Sequence, residues 1–220
     1  MSIVAANNLY LGYEKDILLN LDFRLSSRDF IFITGPSGSG KSTLLGSLYG
    51  QKLRMKGQLS VCGVSLNGAK AKDITKLRQQ IGVVFQDYKL IGELSAKHNI
   101  MLPLKVLGFD ARTCEKKAQA LLSHVGLLHK ADRMPRELSG GEQQRIATAR
   151  AIANNPKLII CDEPTGNLDE LSSKTVWNLL LGAREYFNSC VIVATHHIPK
   201  NLGIDYRLFV IEKGGFNEVY

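Results

Sequence analysis

A glycine-rich stretch that ends in a lysine and two hydroxyl residues carries the clearest chemistry in the sequence. Glycines let a backbone curl until successive N–H groups point at phosphate oxygens. In a phosphate-binding loop (glycine, four residues, then Gly-Lys-Ser), the lysine reaches the outer phosphates and the next hydroxyl holds magnesium. These roles fall to Lys41 and Ser42. The stretch that fits the pattern is Gly35, Pro36, Ser37, Gly38, Ser39, Gly40, Lys41, Ser42 and Thr43.

The segments on either side of this loop are those that the motif requires. Phe30–Thr34 is a short apolar run, which predicts a buried strand. From Ser42 onward, leucines at 44, 45 and 48 predict a helix, whose positive dipole end would point at a bound anion. Strand, loop and helix together predict a phosphate site rather than a chance glycine-rich turn.

Three further polar residues follow apolar runs that predict strands. Asp162 and Glu163 follow Leu158–Cys161, and Gln86 follows Ile81–Phe85. In enzymes with a phosphate-binding loop, such an aspartate supports the magnesium ion and an adjacent glutamate can polarise the attacking water. A glutamine at the carboxyl end of a strand is placed to contact the same ion or water. All three are therefore candidates for metal binding or catalysis.

Residues 138–145 read Leu-Ser-Gly-Gly-Glu-Gln-Gln-Arg and predict the start of a helix. Ser139 is a good N-cap, and Glu142 lies where a capping box places its acidic residue. The glycines between them, Gly140 and Gly141, allow the helix start to present free N–H groups to an anion. A plain helix cap is the alternative, and these residues by themselves leave both open.

The order of predicted elements indicates an α/β protein. Alternating apolar and polar residues near the N-terminus predict an antiparallel sheet with Tyr13 in a turn. Further on lie two helical stretches, Ala96–Leu107 and Ala111–Val125, and Pro103 is expected to kink or divide the first. We predict one domain over residues 1–220, with a mostly parallel sheet and an N-terminal antiparallel β subdomain in a core of 1–90 and 150–220. An α-helical subdomain is inserted at about 91–149.

Composition indicates an ordinary globular protein but leaves the meaning of its charge open. Apolar residues make up 45% and charged residues 22% of the 220 residues. The N-terminus lacks the pattern of a signal peptide and no apolar run is long enough to span a bilayer, so we expect a cytosolic protein. The four cysteines are too scattered for a metal site. The net charge of +8 is concentrated in residues 52–89, which fits nucleic acid, an anionic membrane, an acidic partner or a merely solvated surface.

Taken in order, these motifs resemble those of the ABC (ATP-binding cassette) ATPases over essentially the whole chain. The resemblance implies a P-loop fold of the ABC type and an ATPase that converts ATP and water to ADP and phosphate, with ATP and magnesium as cofactors. The motifs that carry it are Gly35–Thr43, Gln86, Leu138–Arg145, Leu158–Glu163 and Thr195-His196.

The resemblance also implies a catalytic role for individual residues. Glu163 would act as general base on the attacking water, and His196 would sense the γ-phosphate. Gln86 would join them in catalysis. The magnesium ion would be held by Ser42, Gln86 and Asp162.

The same resemblance implies how nucleotide and dimer are related. Tyr13 would stack on adenine, and Lys41 would bind phosphates. Two chains would close head to tail as a homodimer, so that Ser139, Gly140 and Gly141 of one chain complete the ATP site of the other. Asn167-Leu168-Asp169 would lie across that interface.

Within the family, the likeness is greatest to the FtsE subfamily of cell-division ATPases, which work with the integral membrane protein FtsX. It rests on Phe85-Gln86-Asp87, on the residues that follow Ser139-Gly140, and on Asp162–Asp169. Lipoprotein-releasing and macrolide-export ATPases share most of these residues. The likeness implies an FtsX-like permease as partner, a peripheral position on the cytoplasmic face of the inner membrane, and no nucleic acid. Two departures stand out: Cys161 replaces an aliphatic residue, and His197 an aspartate.

In this family the loop after the glutamine and the helical subdomain form a cleft that receives a short cytoplasmic helix of the membrane partner. Tyr88, Leu90 and Ile91 are our candidates for the docking contacts, with Leu102 and Leu104 as weaker ones. An ordinary solvated loop is the alternative.

Two other functions stay open. A soluble ABC ATPase that acts on DNA or ribosomes would fit the basic segment, but such proteins carry long insertions before the signature or two cassettes in one chain, which this sequence does not. An inactive ATP-binding scaffold would lack catalytic residues, whereas Glu163 and His196 are present.

Overall fold

The computed structural model describes residues 2–200 and 202–219. Met1, Asn201 and Tyr220 lie outside the described residues. The strands are β1 (Ser2–Gly12), β2 (Asp16–Ser26), β3 (Phe30–Thr34), β4 (Arg54–Val61), β5 (Val64–Ser65), β6 (Ile81–Val84), β7 (Leu158–Asp162), β8 (Cys190–Ala194), β9 (Arg207–Glu212) and β10 (Gly215–Glu218). The α-helices are α1 (Lys41–Leu48), α2 (Ala71–Arg78), α3 (Ala96–Val106), α4 (Ala111–His124), α5 (Gly140–Ile152) and α6 (Glu170–Phe187).

Two sheets form the β structure. A six-stranded sheet has the order β10-β9-β3-β8-β7-β6, and its pairs from β9 to β6 are parallel. A four-stranded antiparallel sheet has the order β2-β1-β4-β5. The predicted fold class, a mostly parallel sheet with an N-terminal antiparallel β subdomain and inserted helices, is confirmed.

Strand β3 shows how the parallel sheet separates two apolar cores. Its successive side chains point to opposite faces, as in any strand. Ile31 and Ile33 join a core with the antiparallel sheet and α1. Phe30 and Phe32 join the opposite core, where Trp177 of α6 packs at a ring-centroid distance of 5.9 Å from Phe32. Trp177 is thus a core residue.

The inserted helices share an apolar cluster of their own, to which Ile100, Cys114, Leu122 and Ile146 contribute from α3, α4 and α5. Helix α3 continues through Pro103 to Val106, so the proline does not divide the helix. The kink, which is the other predicted outcome, stays a prediction. Helix α5 continues across residue 150, where the sequence places the subdomain boundary. The division into core and helical subdomain therefore stays a prediction.

The parallel strands deliver their polar residues to one edge of the sheet. Because β3, β6, β7 and β8 run in the same direction, the residues that follow them emerge at the same end. Those residues are the loop from Gly35, the glutamine at 86, the glutamate at 163 and the histidine at 196.

Candidate nucleotide-binding and hydrolysis site

The glycine-rich loop connects β3 to α1 in a conformation that needs glycine at two positions. Gly35 has φ 150°, and a Cβ there would lie 2.3 Å from the carbonyl oxygen of Ile211. Gly40 has φ 107°, and a Cβ would lie 2.8 Å from the side chain of Leu18. Gly40 is also the N-cap of α1, and it makes no side-chain cap bond. The loop therefore brings main-chain N–H groups and the positive end of α1 to one place.

Lys41 and Ser42 begin α1 and face the site. The Lys41 ammonium is buried in the curl of the loop and donates to the carbonyl oxygens of Gly35 over 2.8 Å and Pro36 over 3.0 Å. The Ser42 hydroxyl donates to Oδ2 of Asp162 over 3.0 Å. Burial raises the pKa of Asp162, and the charge of Glu163 adds to this, whereas the bond from Ser42 and the charge of Lys41 oppose it.

Glu163 follows β7 directly and is held in place by three hydrogen bonds. It adopts φ 46°, and its N–H donates to the carbonyl of Ala194 over 2.9 Å. Its Oε2 accepts from the Thr195 hydroxyl and its Oε1 from the backbone N–H of His196, both over 3.0 Å. The imidazole Nε2 of His196 lies 3.7 Å from the same Oε1. The carboxylate is therefore fixed while still lining open space.

A cavity of about 480 Å³ lies in front of these groups. Ligand pockets commonly measure roughly 300–1,000 Å³. Of the residues predicted from sequence, it brings together Ser37, Gly38, Gly40, Lys41, Ser42, Thr43, Gln86, Asp162, Glu163 and His196. The cavity is also lined by Ile17, Gly166, Asn167 and His197. Nothing in the sequence marks Ile17 as a site residue, and Asn167 is expected there only at the dimer interface.

The donor set fits a magnesium ion. The Ser42 hydroxyl, the Asp162 carboxylate and the Gln86 amide are oxygen donors in one cavity, and magnesium prefers oxygen ligands. One carboxylate beside a phosphate-binding loop is typical of nucleotide-bound magnesium.

Seven of the predicted site residues are not among those that line the cavity within this chain. Three of them, Gly35, Pro36 and Ser39, belong to the glycine-rich loop itself, and the other four lie elsewhere. Tyr13 is 53% exposed in the turn after β1. Ser139 caps α5: its hydroxyl accepts from the N–H of Glu142 over 3.3 Å, and its own N–H donates to Glu142 Oε2 over 3.0 Å. Gly140 and Gly141 form the first turn of α5, beside Tyr88 and Ser172 respectively.

A second cavity of about 460 Å³ lies between β6 and α3. Ile91 and Leu102 line it, as the docking prediction requires. The other three docking candidates do not. Leu104 is fully buried, so for this residue the prediction is wrong. Leu90 packs against the helical cluster and Tyr88 lies beside Gly140, but both are only partly buried, so for these two residues docking stays a prediction. The periodic pattern of α3 does not tell which apolar side chains its neighbours cover.

Comparison with known sequences decides the family. The model of the ABC transporter family matches residues 18–166. The chain belongs to the ABC ATPases. A cell division ATP-binding protein FtsE from Streptococcus pneumoniae is 42% identical over 219 residues, covering 97% of this chain and 94% of that protein. A lipoprotein-releasing system ATP-binding protein LolD from Hydrogenovibrio crunogenus is 39% identical over 220 residues, covering 97% of this chain and 95% of that protein.

Solved structures of an ABC transporter cassette, MJ0796, have the same fold. Its dimeric post-hydrolysis state bound to ADP and phosphate aligns with a TM-score of 0.87 at 33% identity, covering 98% of this chain and 97% of that one. A further dimeric structure aligns with a TM-score of 0.88 at the same identity and coverage. This ABC protein is therefore an ATP-binding ATPase, as the sequence predicts. In the described ranges 2–200 and 202–219, no helix has the length and apolarity to cross a bilayer.

Proposed function

We propose that this ABC ATPase is an FtsE-like subunit that dimerises around ATP and magnesium and drives an FtsX-like permease in cell division. The observation that carries the catalytic part is the cavity in which the phosphate-binding loop, Asp162 and Glu163 meet. The FtsE relatives support the finer assignment.

In the proposed hydrolysis, Lys41 and the loop N–H groups bind the phosphates of ATP. Ser42, Gln86 and Asp162 hold magnesium, which when bound neutralises charge on the transferred phosphate. Glu163 accepts a proton from the attacking water, because its carboxylate is fixed at the cavity wall by Thr195 and His196. His196 contacts the γ-phosphate, and Tyr13 stacks on adenine.

The proposed dimer explains why the signature lies apart from the cavity. Ser139, Gly140 and Gly141 begin α5, and the N-terminus of a helix favours an anion. A second copy arranged head to tail would place these residues on the phosphates of the first. The dimeric MJ0796 structures support this arrangement. Asn167, at the cavity, and Asp169, beside Gly141, would then lie at the interface.

The proposed membrane partner would dock in the cleft lined by Ile91 and Leu102. In that arrangement the protein would lie peripherally on the cytoplasmic face of the inner membrane. The cleft lies between the core, residues 1–90 and 150–220, and the proposed helical subdomain at about 91–149, so closure around ATP would change its shape.

The experiment that tests the cell-division role is depletion in the native host, combined with affinity purification in mild detergent. We expect filamentous or misshapen dividing cells and co-purification of a permease encoded with the protein. Normal division together with a block in lipoprotein release would favour the second candidate, a lipoprotein-releasing ATPase, which the LolD relative supports. Normal division with loss of macrolide export would favour an exporter ATPase.

A further inference from the structure

The loop after Gln86 has an uncommon backbone. Tyr88 and Lys89 are consecutive non-glycine residues in the left-handed region, with φ 63° and φ 46°. Each such residue carries strain and persists only where its surroundings hold it. Gln86 lines the cavity and lies within the turn that the N–H of Tyr88 closes on the carbonyl oxygen of Phe85 over 3.0 Å, so the backbone of this loop bears on where Gln86 points.

Arg150 in the last turn of α5 holds both strained residues. One guanidinium nitrogen donates to the carbonyl oxygen of Tyr88 over 2.9 Å and the other to that of Lys89 over 2.7 Å. The guanidinium is partly buried, and this burial lowers its pKa. A planar guanidinium presents two nitrogens in a rigid fork, one for each carbonyl, whereas a lysine in this position would have a single nitrogen on a flexible stem to serve both.

Asn99 of α3 extends the same clamp. It is fully buried, and its Oδ1 accepts from the N–H of Ile91 over 2.9 Å. Its amide nitrogen donates to the carbonyls of Ile91 over 3.1 Å and Leu94 over 2.9 Å. Arg150 lies 3.4 Å from the same Oδ1. Two side chains from two helices thus fix residues 88–94.

The helix that carries Arg150 is itself seated against the strand that leads to Gln86. A Cβ at Gly82 of β6 would lie 2.0 Å from the carbonyl oxygen of Ala151, so only glycine allows this approach. The other end of α5 begins with Gly140.

We propose that Arg150 is a positioning residue for Gln86: it holds the loop after β6 so that the glutamine faces magnesium and the attacking water. The proposal rests on the proposed role of Gln86. Arg150 acts through the backbone and does not contact the nucleotide. Helix α5 also carries the signature glycines at its start. The two hydrogen bonds of Arg150 therefore link the signature of a chain to the proposed catalytic glutamine of the same chain.

The test is a double-mutant cycle on purified protein with Arg150→Lys, Gln86→Ala and the combination. We expect Arg150→Lys to lower kcat by roughly tenfold and to leave KM for ATP within about twofold, since misplacement acts on the chemical step. We expect the double variant to be no slower than Gln86→Ala alone, because the arginine acts through that residue. Arg112→Lys, an exposed arginine of α4, is the matched control and should keep the native rate.

The outcomes separate this inference from the function on which it rests. If the separate losses in kcat multiply in the double variant, Arg150 acts independently of Gln86. A native kcat in Arg150→Lys would show that Arg150 has no positioning role. A native rate in Gln86→Ala would overturn the role of Gln86 itself. Amide exchange at residues 87–91 supplies a second readout and should quicken in Arg150→Lys. If that variant does not fold, Asn99→Asp, which removes the two donors to Ile91 and Leu94, takes its place in the same cycle.

Discussion

The hydroxyl of Thr195 donates to Oε2 of Glu163 over 3.0 Å. The two residues meet because Asp162 and Ala194, which precede them, are register partners in the parallel pair β7–β8. The bond orients a carboxylate whose other oxygen accepts from the backbone of His196. The sequence marks Thr195 only as part of the motif Thr195-His196, whereas in the structure its hydroxyl orients the carboxylate of the proposed base.

Removal of this hydroxyl should slow hydrolysis. We expect Thr195→Val, which keeps the shape of the side chain, to lower kcat by roughly 10–100-fold. Displacement of a catalytic group by about 1 Å can lower the rate of the chemical step by that factor. Thr195→Ser keeps the donor and should stay within a few-fold of the native rate. Steady-state ATPase assays and equilibrium ATP binding check this; a Val variant as active as the Ser variant would contradict it.

Asp162→Asn should stabilise the nucleotide-free protein at neutral pH while abolishing magnesium-dependent turnover. Burial, with the charge of Glu163, raises the pKa of Asp162, so the folded state binds that proton more tightly than the unfolded state. As pH rises from the ordinary aspartate pKa of about 3.9 through the raised value, this group therefore costs stability. The neutral amide avoids that cost.

Thermal melts between about pH 4 and about pH 8 measure this effect, because the range begins near the ordinary aspartate pKa and ends at neutral pH. We expect the variant to melt higher than the native protein at pH 7, and the difference to shrink as the pH falls. Asp205→Asn, at an exposed aspartate outside the cavity, is the matched control. A lower melting temperature for Asp162→Asn at pH 7 would show that the carboxylate is stabilised by its partners instead.

The adenine platform is a separate prediction. Tyr13 is half exposed in a turn before β2, whose residue Ile17 lines the cavity. Tyr13→Ala should weaken ATP binding by about 1–3 kcal/mol, the usual contribution of base–aromatic stacking. Tyr13→Phe keeps the ring and should bind as the native protein does. Titration calorimetry with ATP decides, and equal losses in the two variants would indicate a hydroxyl contact.

The docking cleft gives a prediction about the partner. Ile91 is 37% exposed at the cleft and Leu102 is half-buried there, so both can anchor a partner helix. We expect Ile91→Ala with Leu102→Ala to lose the co-purifying permease while ATP binding is kept, since buried anchors often contribute about 2 kcal/mol. Leu128→Ala, at an exposed leucine outside the cleft, is the control. Retained partner with lost ATP binding would mean that the loop serves the active site alone.

The sequence predicts the site where local pattern suffices. The loop Gly35–Thr43 and the polar residues after β6, β7 and β8 could be placed together because parallel strands end at one edge of a sheet. The position of Ile17 at the site could not be predicted in this way, since Ile17 reaches the cavity from the antiparallel sheet through packing between the two sheets.

The errors have a similar cause. Leu104 has the same apolar character as Ile91 and Leu102, and only the packing of α3 against α4 and α5 decides which are covered. Arg150 looks like any arginine on a helix, because its partners are carbonyls 61 and 62 positions earlier in the chain.

The measurement that tests the account most directly is the turnover of Glu163→Gln. The substitution keeps size and hydrogen bonding but removes the base, so the ATPase rate should fall by roughly 10²–10⁴-fold. ATP binding should persist, and with ATP and magnesium a stable dimer should accumulate on size exclusion. Glu212→Gln, at an exposed glutamate at the end of β9, should behave as the native protein. Hydrolysis by Glu163→Gln at the native rate would contradict the assignment of the base.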